Sequence, residues 1–155
     1  MANLRIIGAV LALALIAGSP AAALADDGAQ TVPMEPHNGS FVVPVVLNDV
    51  LTEKFIVDSG SADVSIPEDV ASTLMKLGTI TAADLLGSKT YMLADGSRVP
   101  SQIYRVASLR IGSMVMRNVT VRVAAAKSDL LLGQSFLSRL KSWSMDNTRQ
   151  VMIFN

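Results

Sequence analysis

The residues of this chain best placed to do chemistry are Asp58, Ser59 and Gly60, which follow the apolar run Phe55-Ile56-Val57. A strand bound for the core thus ends by delivering a carboxyl group. Ionisation is costly for a carboxyl carried toward a low-dielectric setting, which makes such a group a candidate for holding or taking a proton in a reaction. The hydroxyl of Ser59 comes next, then a glycine that lets the backbone turn tightly. The same tripeptide also serves as an Asx-type turn that merely ends a strand, and alone it does not separate the two readings.

Little else in the sequence competes. With no cysteine, thiolate chemistry and disulfides are excluded. The single histidine, His37, cannot assemble a metal cluster by itself, and no metal or other cofactor is implied. Thirteen basic residues balance thirteen acidic ones, without the clustered excess of a nucleic-acid binder. Asp63 lies close to the tripeptide and reads as a solvated loop acid. Arg98, Arg105, Arg110, Arg117 and Arg122 read as solvent-facing strand positions. Met92, Met114 and Met116 read as core fillers, and Trp143 as a packing residue near the last strand.

The elements that must position Asp58 follow from periodicity and turn chemistry. Residues 1–25 have the form of a signal peptide: Arg5, an apolar stretch from Ile6 to Ala17, and Ala23-Leu24-Ala25 before Asp26. An uncleaved N-terminal anchor is the alternative, and either form takes the remainder out of the cytoplasm. Removing this segment takes only Arg5, leaving twelve basic residues against thirteen acidic ones and a net charge of −1. Residues 26–39, with Pro33, Pro36 and Asn38-Gly39, read as a flexible linker. A single domain of residues 40–155 follows.

That domain opens with a hairpin, Phe41 to Leu47 and Glu53 to Val57 around Asn48-Asp49, running straight into Asp58. A helix is expected from Pro67 to Gly78, with Val70, Leu74 and Leu77 facing the core. Thr81 and Asp84 are spaced as a capping box for one further turn. Strands Ser88–Ala94 and Ser97–Arg105 flank Asp95-Gly96, and Val106–Ile111 and Val115–Val123 flank Gly112-Ser113. Leu130-Leu131-Leu132 reads as a strand buried on both faces, followed by a short helix from Ser135 to Leu140 and a last strand from Val151 to Phe154. Many short strands with few helices make the class all-β.

In this setting the sequence resembles the retropepsin-like aspartic proteases, above all their small bacterial exported or membrane-associated members. The resemblance runs from about Phe41 to Phe154. Phe55-Ile56-Val57-Asp58-Ser59-Gly60-Ser61 is similar to the family's catalytic strand and loop. Ala94-Asp95-Gly96 is similar to the flap tip of the bacterial members, and Leu131-Leu132-Gly133 to the second motif before a short helix. The resemblance implies a half-barrel completed as a homodimer, since the chain holds one Asp-Ser-Gly.

It further implies an aspartic endopeptidase in which two Asp58 carboxylates activate a water against a peptide or protein substrate. Ser59 would hydrogen-bond across the dimer axis, with Gly60 and Ser61 shaping the loop. Asp95 and Gly96 would close over the substrate, and Leu132 and Gly133 would support the loop from beneath. The final strand would interleave across the dimer axis, because it is apolar and otherwise an uncovered edge. The implied location is the bacterial periplasm, or its membrane if the N-terminal segment stays attached.

Two departures stand out. Viral members carry an aspartate four residues after the catalytic one and an arginine after the second-motif glycine. Here those positions hold Ala62 and Gln134, so both ends of that ion pair are missing together and no charge is stranded. Serine replaces the commoner threonine at Ser59. The alternative function is a catalytically inactive dimerisation or binding module of the same fold, against which the intact Asp58, Ser59 and Gly60 stand.

Overall fold

The computed structural model describes residues 29–155, so the expected leader lies outside the described residues. In chain order the strands are β1 (Gln30–Pro33), β2 (Glu35–His37), β3 (Ser40–Leu47), β4 (Leu51–Val57) and β5 (Val64–Pro67). Helix α1 (Glu68–Lys76) and a 3-10 turn (Ala82–Asp84) come next. They lead to β6 (Leu85–Met92), β7 (Arg98–Ile111), β8 (Met114–Ala124) and β9 (Leu131–Leu132). The chain ends with α2 (Gln134–Leu137), β10 (Trp143–Asp146) and β11 (Val151–Phe154). The all-β class follows from these elements.

Six strands close a small barrel in the order β3-β4-β9-β5-β8-β7, with Val46 and Leu47 of β3 pairing Arg110 and Leu109 of β7 to shut the ring. The alternation in each strand feeds one core. Val43, Val45 and Leu47 of β3, Phe55 and Val57 of β4, and Val119 and Val121 of β8 all lie in it. Asn48 and Asp49 turn β3 into β4 with positive φ, a conformation their short polar side chains tolerate. Where two strands were expected between Ser97 and Ile111, β7 is continuous. No glycine, proline or asparagine from Ser101 to Arg110 gives the chain a reason to break. Its first half forms the flap hairpin with β6, and its second half belongs to the barrel.

Helix α1 packs Val70, Ala71 and Leu74 inward, but Leu77 is its C-cap and stands 54% exposed. The core position expected of Leu77 is filled by Ile80 after the turn at Gly78. Thr81 and Asp84 form the capping box, with Asp84 Oδ2 accepting from Thr81 N at 2.8 Å. Strand β9 is shorter than the leucine run and is buried on one face only: Leu132 is fully buried, whereas Leu131 is partly open. Helix α2 is likewise shorter than expected, although Phe136, Leu137 and Leu140 still reach the core.

The chain ends depart most from expectation. Residues 30–37, read as part of a flexible linker, are strands β1 and β2, with Val32 and Met34 buried. β1 pairs antiparallel with β11, and β10 pairs with the other side of β11. The final strand is therefore the centre of a three-stranded sheet within one chain, not an uncovered edge. Met152 and Phe154 anchor that sheet to the core, and Trp143 and Met145 pack beside them.

Candidate active site

Strand β4 delivers Asp58 to a tight loop between β4 and β5. Its backbone N–H donates to the Leu132 carbonyl at 3.2 Å, tying the loop's start to β9. Asp58 Oδ1 accepts from Gly60 N at 2.9 Å, a bond that fixes the carboxylate's orientation. A Cβ at residue 60 would stand 3.3 Å from that same oxygen, so glycine leaves the carboxylate's near side open. Ser61 Oγ donates to the Asp63 carbonyl at 2.9 Å, closing the loop's far end. Ser59 is exposed, and among the described residues its hydroxyl has no hydrogen-bond partner in the chain.

The second motif holds this loop from beneath. Gln134 N donates to Ser61 O at 2.9 Å, Ser135 N to Ala62 O at 3.1 Å, and Gln134 Nε2 to Ser59 O at 2.8 Å. The N-terminal end of α2 thereby takes up two loop carbonyls with backbone N–H groups that a helix start leaves free, and a third with the Gln134 side chain. Gln134, at the position where viral members carry arginine, reaches the loop through a neutral amide. Gly133 is what permits the approach. A Cβ there would stand 2.8 Å from the Ser61 carbonyl oxygen and closer still to that of Asp63. Ser135 Oγ donates to Thr120 O at 2.7 Å and accepts from Val64 N at 2.8 Å, stitching β8 to β5 below the site.

The flap hairpin lies over Asp58. Its tip turns at Asp95-Gly96, where Gly96 has φ +82° and Leu93 N donates to Ser97 O at 2.8 Å. Hydrogen bonds from the Ser97 side chain and backbone hold the Asp95 carboxyl below the ordinary carboxylate range. Asp95 is thus a charged turn-former. Between flap and loop is a cleft of about 420 Å³ lined by Asp58, Gly60, Ser61, Met92–Ala94, Arg122 and Leu131. Asp58, Gly60 and Ser61 meet there; Asp95 and Gly96 sit at the tip beyond its lining, and Leu132 and Gly133 lie buried underneath.

Three expectations need correction. Asp63 is no solvated loop acid: its side chain is only 14% exposed and accepts from the Tyr91 hydroxyl and from Lys89 Nζ, 3.3 Å away. It fastens the Asp58 loop to strand β6. Burial first, then this bond to Asp63, pushes the Tyr91 hydroxyl well above the usual phenol range, so it remains a donor. Met92 is 74% exposed on the flap and not a core filler. Arg122 is not solvent-facing but half-buried, lining the cleft with Nε donating to Ser65 Oγ at 3.1 Å. Of these, only Asp63 had a sequence signal, its closeness to Asp58.

The profile of the family described as aspartyl protease matches residues 43–136, which span the Asp58 loop, the Asp95-Gly96 hairpin and the Leu131-Leu132-Gly133 segment. The chain belongs to the aspartyl protease family. Within it the fold is retropepsin-like. A crystal structure of a retropepsin-like aspartic protease from Rickettsia conorii superposes with a TM-score of 0.60 at 27% sequence identity, covering 83% of this chain and 90% of that one. No curated protein matches the chain. In this family member the match ends at Phe136, so β10 and β11 of the terminal sheet lie beyond it.

Proposed function

We propose that the protein is an aspartic endopeptidase whose active unit is a homodimer, with one Asp58 from each subunit at a shared centre. The observation that carries this reading is the Asp58 carboxylate, oriented by Gly60 N and facing the cleft beneath the flap. One such carboxylate is insufficient. A single carboxyl cannot at once take a proton from water and donate one to the scissile carbonyl. Two side by side can, because adjacent like charges do not both ionise cheaply and the pair keeps one proton. The ionised member acts as general base on water, and the protonated member hydrogen-bonds the carbonyl oxygen.

The chain's own residues supply the rest. The exposed Ser59 hydroxyl is free to donate to the partner subunit's backbone, holding two loops in register. Gly60 leaves room for a substrate backbone at the carboxylate. The flap excludes water once a peptide is seated. Export to the periplasm belongs to this proposal through the leader-like residues 1–25.

The test is specific activity against peptide substrates, measured across protein concentration and pH. Activity per chain is expected to rise with concentration and then level off, as dimers form. Its pH profile is expected to peak on the acid side of neutrality. It falls at lower pH as the pair gains a second proton, and at higher pH as it loses its only one. Concentration-independent activity, or inhibition by a chelator with a maximum above neutral pH, would refute the two-carboxylate reading. A stable dimer that cleaves no peptide would make the fold a binding module.

A further inference from the structure

Arg122 lines the cleft that holds Asp58, on strand β8 opposite Ser65 of β5. Its guanidinium carbon lies 4.8 Å from the centre of the Tyr91 ring, and Nε donates to Ser65 Oγ. One edge of the group is therefore held between a ring and a hydroxyl. Among the described residues no hydrogen bond engages its two terminal amino groups, and no carboxylate pairs with it. The nearby acid, Asp63, is already matched by Lys89 and by Tyr91. Lys89 and Arg122 thus both lie over the Tyr91 ring, but Asp63 pairs with Lys89 and not with Arg122, and the other carboxylate lining the cleft, Asp58, makes no ion pair with Arg122 among the described residues.

A half-buried guanidinium with a fixed plane and two unengaged amino groups is arranged for a planar anion, most simply a carboxylate gripped by two parallel hydrogen bonds. Stacking on Tyr91 and the bond to Ser65 restrict the side chain beforehand, so little further ordering is needed on binding. We propose that Arg122 is a specificity-determining residue that receives an acidic side chain of the substrate, so that the cleft selects peptides with Asp or Glu near the scissile bond. The proposal rests on the reading of Asp58 as the centre of a peptide-cleaving site, and it names the substrate class of that site.

The test uses fluorescein-labelled octapeptides with two apolar central residues, in which Glu is scanned through the six outer positions, against a Gln-matched set. Wild-type kcat/KM is expected to favour Glu at one position by about tenfold or more, the discrimination of a charge-assisted hydrogen bond. In Arg122→Gln the Glu-to-Gln ratio should fall to near one, and Arg122→Lys should recover part of it. Because the ratio is read within each protein, a general loss of rate cancels.

A second arm measures anisotropy of the same peptides with Asp58→Asn protein, where no turnover is needed. There the Glu peptide should bind about tenfold more tightly than its Gln match. A ratio near one at every position in wild type, or a preference that survives in Arg122→Gln, overturns the proposal. So does equal or absent binding of the acidic set to Asp58→Asn. If that protein prefers the acidic peptide and loses the preference when Arg122→Gln is added, while wild type cleaves nothing, the Arg122 assignment stands and the endopeptidase reading falls.

Discussion

Asp58→Asn is expected to lower peptide turnover by about a thousandfold or more, with the fold kept. Asparagine retains an oxygen at the place where Asp58 Oδ1 accepts from Gly60 N, so the loop's internal bond survives. It also keeps the side chain's shape beside Leu131 and the flap. What it loses is the acid–base capacity that the proposed mechanism requires of Asp58. Thermal unfolding should shift by only a few degrees, within the range of a neutral substitution at a partly exposed site.

Mixing sharpens the result. With a threefold excess of the Asn variant, random pairing leaves about a quarter of wild-type chains facing another wild-type chain, and activity per wild-type chain should drop to match. Activity unchanged by mixing would mean each chain works alone. Wild-type turnover in the Asn variant itself would remove Asp58 from the mechanism. Asp63→Asn offers the contrast: it leaves Asp58 in place and weakens the tie to Tyr91 and Lys89 that holds the flap strand to the loop.

What could be read from sequence, and what could not, divides by the range of the interactions. The hairpin into Asp58, the flap turn at Asp95-Gly96 and the Thr81–Asp84 box are set by residues within a few positions of one another, and each was legible. Gly133 was legible only through a motif. The physical reason for it, two carbonyls of a loop about seventy residues earlier, belongs to the fold. Asp63, Tyr91 and Arg122 come from three separate segments; Asp63 and Arg122 read as solvent-facing, and only the fold brings them both to the Tyr91 side chain.

The N-terminal strands were hidden for a different reason. Pro33 and Pro36 read as linker residues, yet β1 and β2 are edge strands of their sheets, where a missing N–H on the outer side goes unnoticed. The partner that turns residues 30–33 into a strand is β11, at the opposite end of the chain. No local pattern could announce it.

Gly133→Ala is expected to be the most damaging small substitution in the chain, and comparison with Gly60→Ala shows why. At residue 133 a methyl group meets backbone, the carbonyl oxygens of Ser61 and Asp63, at distances real Cβ atoms do not adopt. Neither oxygen is the far end of a flexible side chain. To make room, α2 must move away from the Asp58 loop, and that movement breaks the bonds from Gln134 N and Ser135 N to the loop carbonyls. Overpacking of this kind costs about 3 kcal/mol or more, enough to lower the unfolding midpoint by on the order of 10 °C.

Turnover should fall with it, because the loop that orients Asp58 loses its floor. At residue 60 the added methyl meets only Asp58 Oδ1, at 3.3 Å, and a shift of a few tenths of an ångström relieves it. Gly60→Ala should therefore unfold near the wild-type temperature while losing activity, since the displaced atom belongs to the carboxylate proposed as the acid–base group. Calorimetry and peptide turnover on the two variants decide the matter. If Gly133→Ala unfolds with wild type, the glycine is not what lets α2 reach the loop; if Gly60→Ala cleaves peptides at the wild-type rate, the open side of Asp58 is not where substrate comes in.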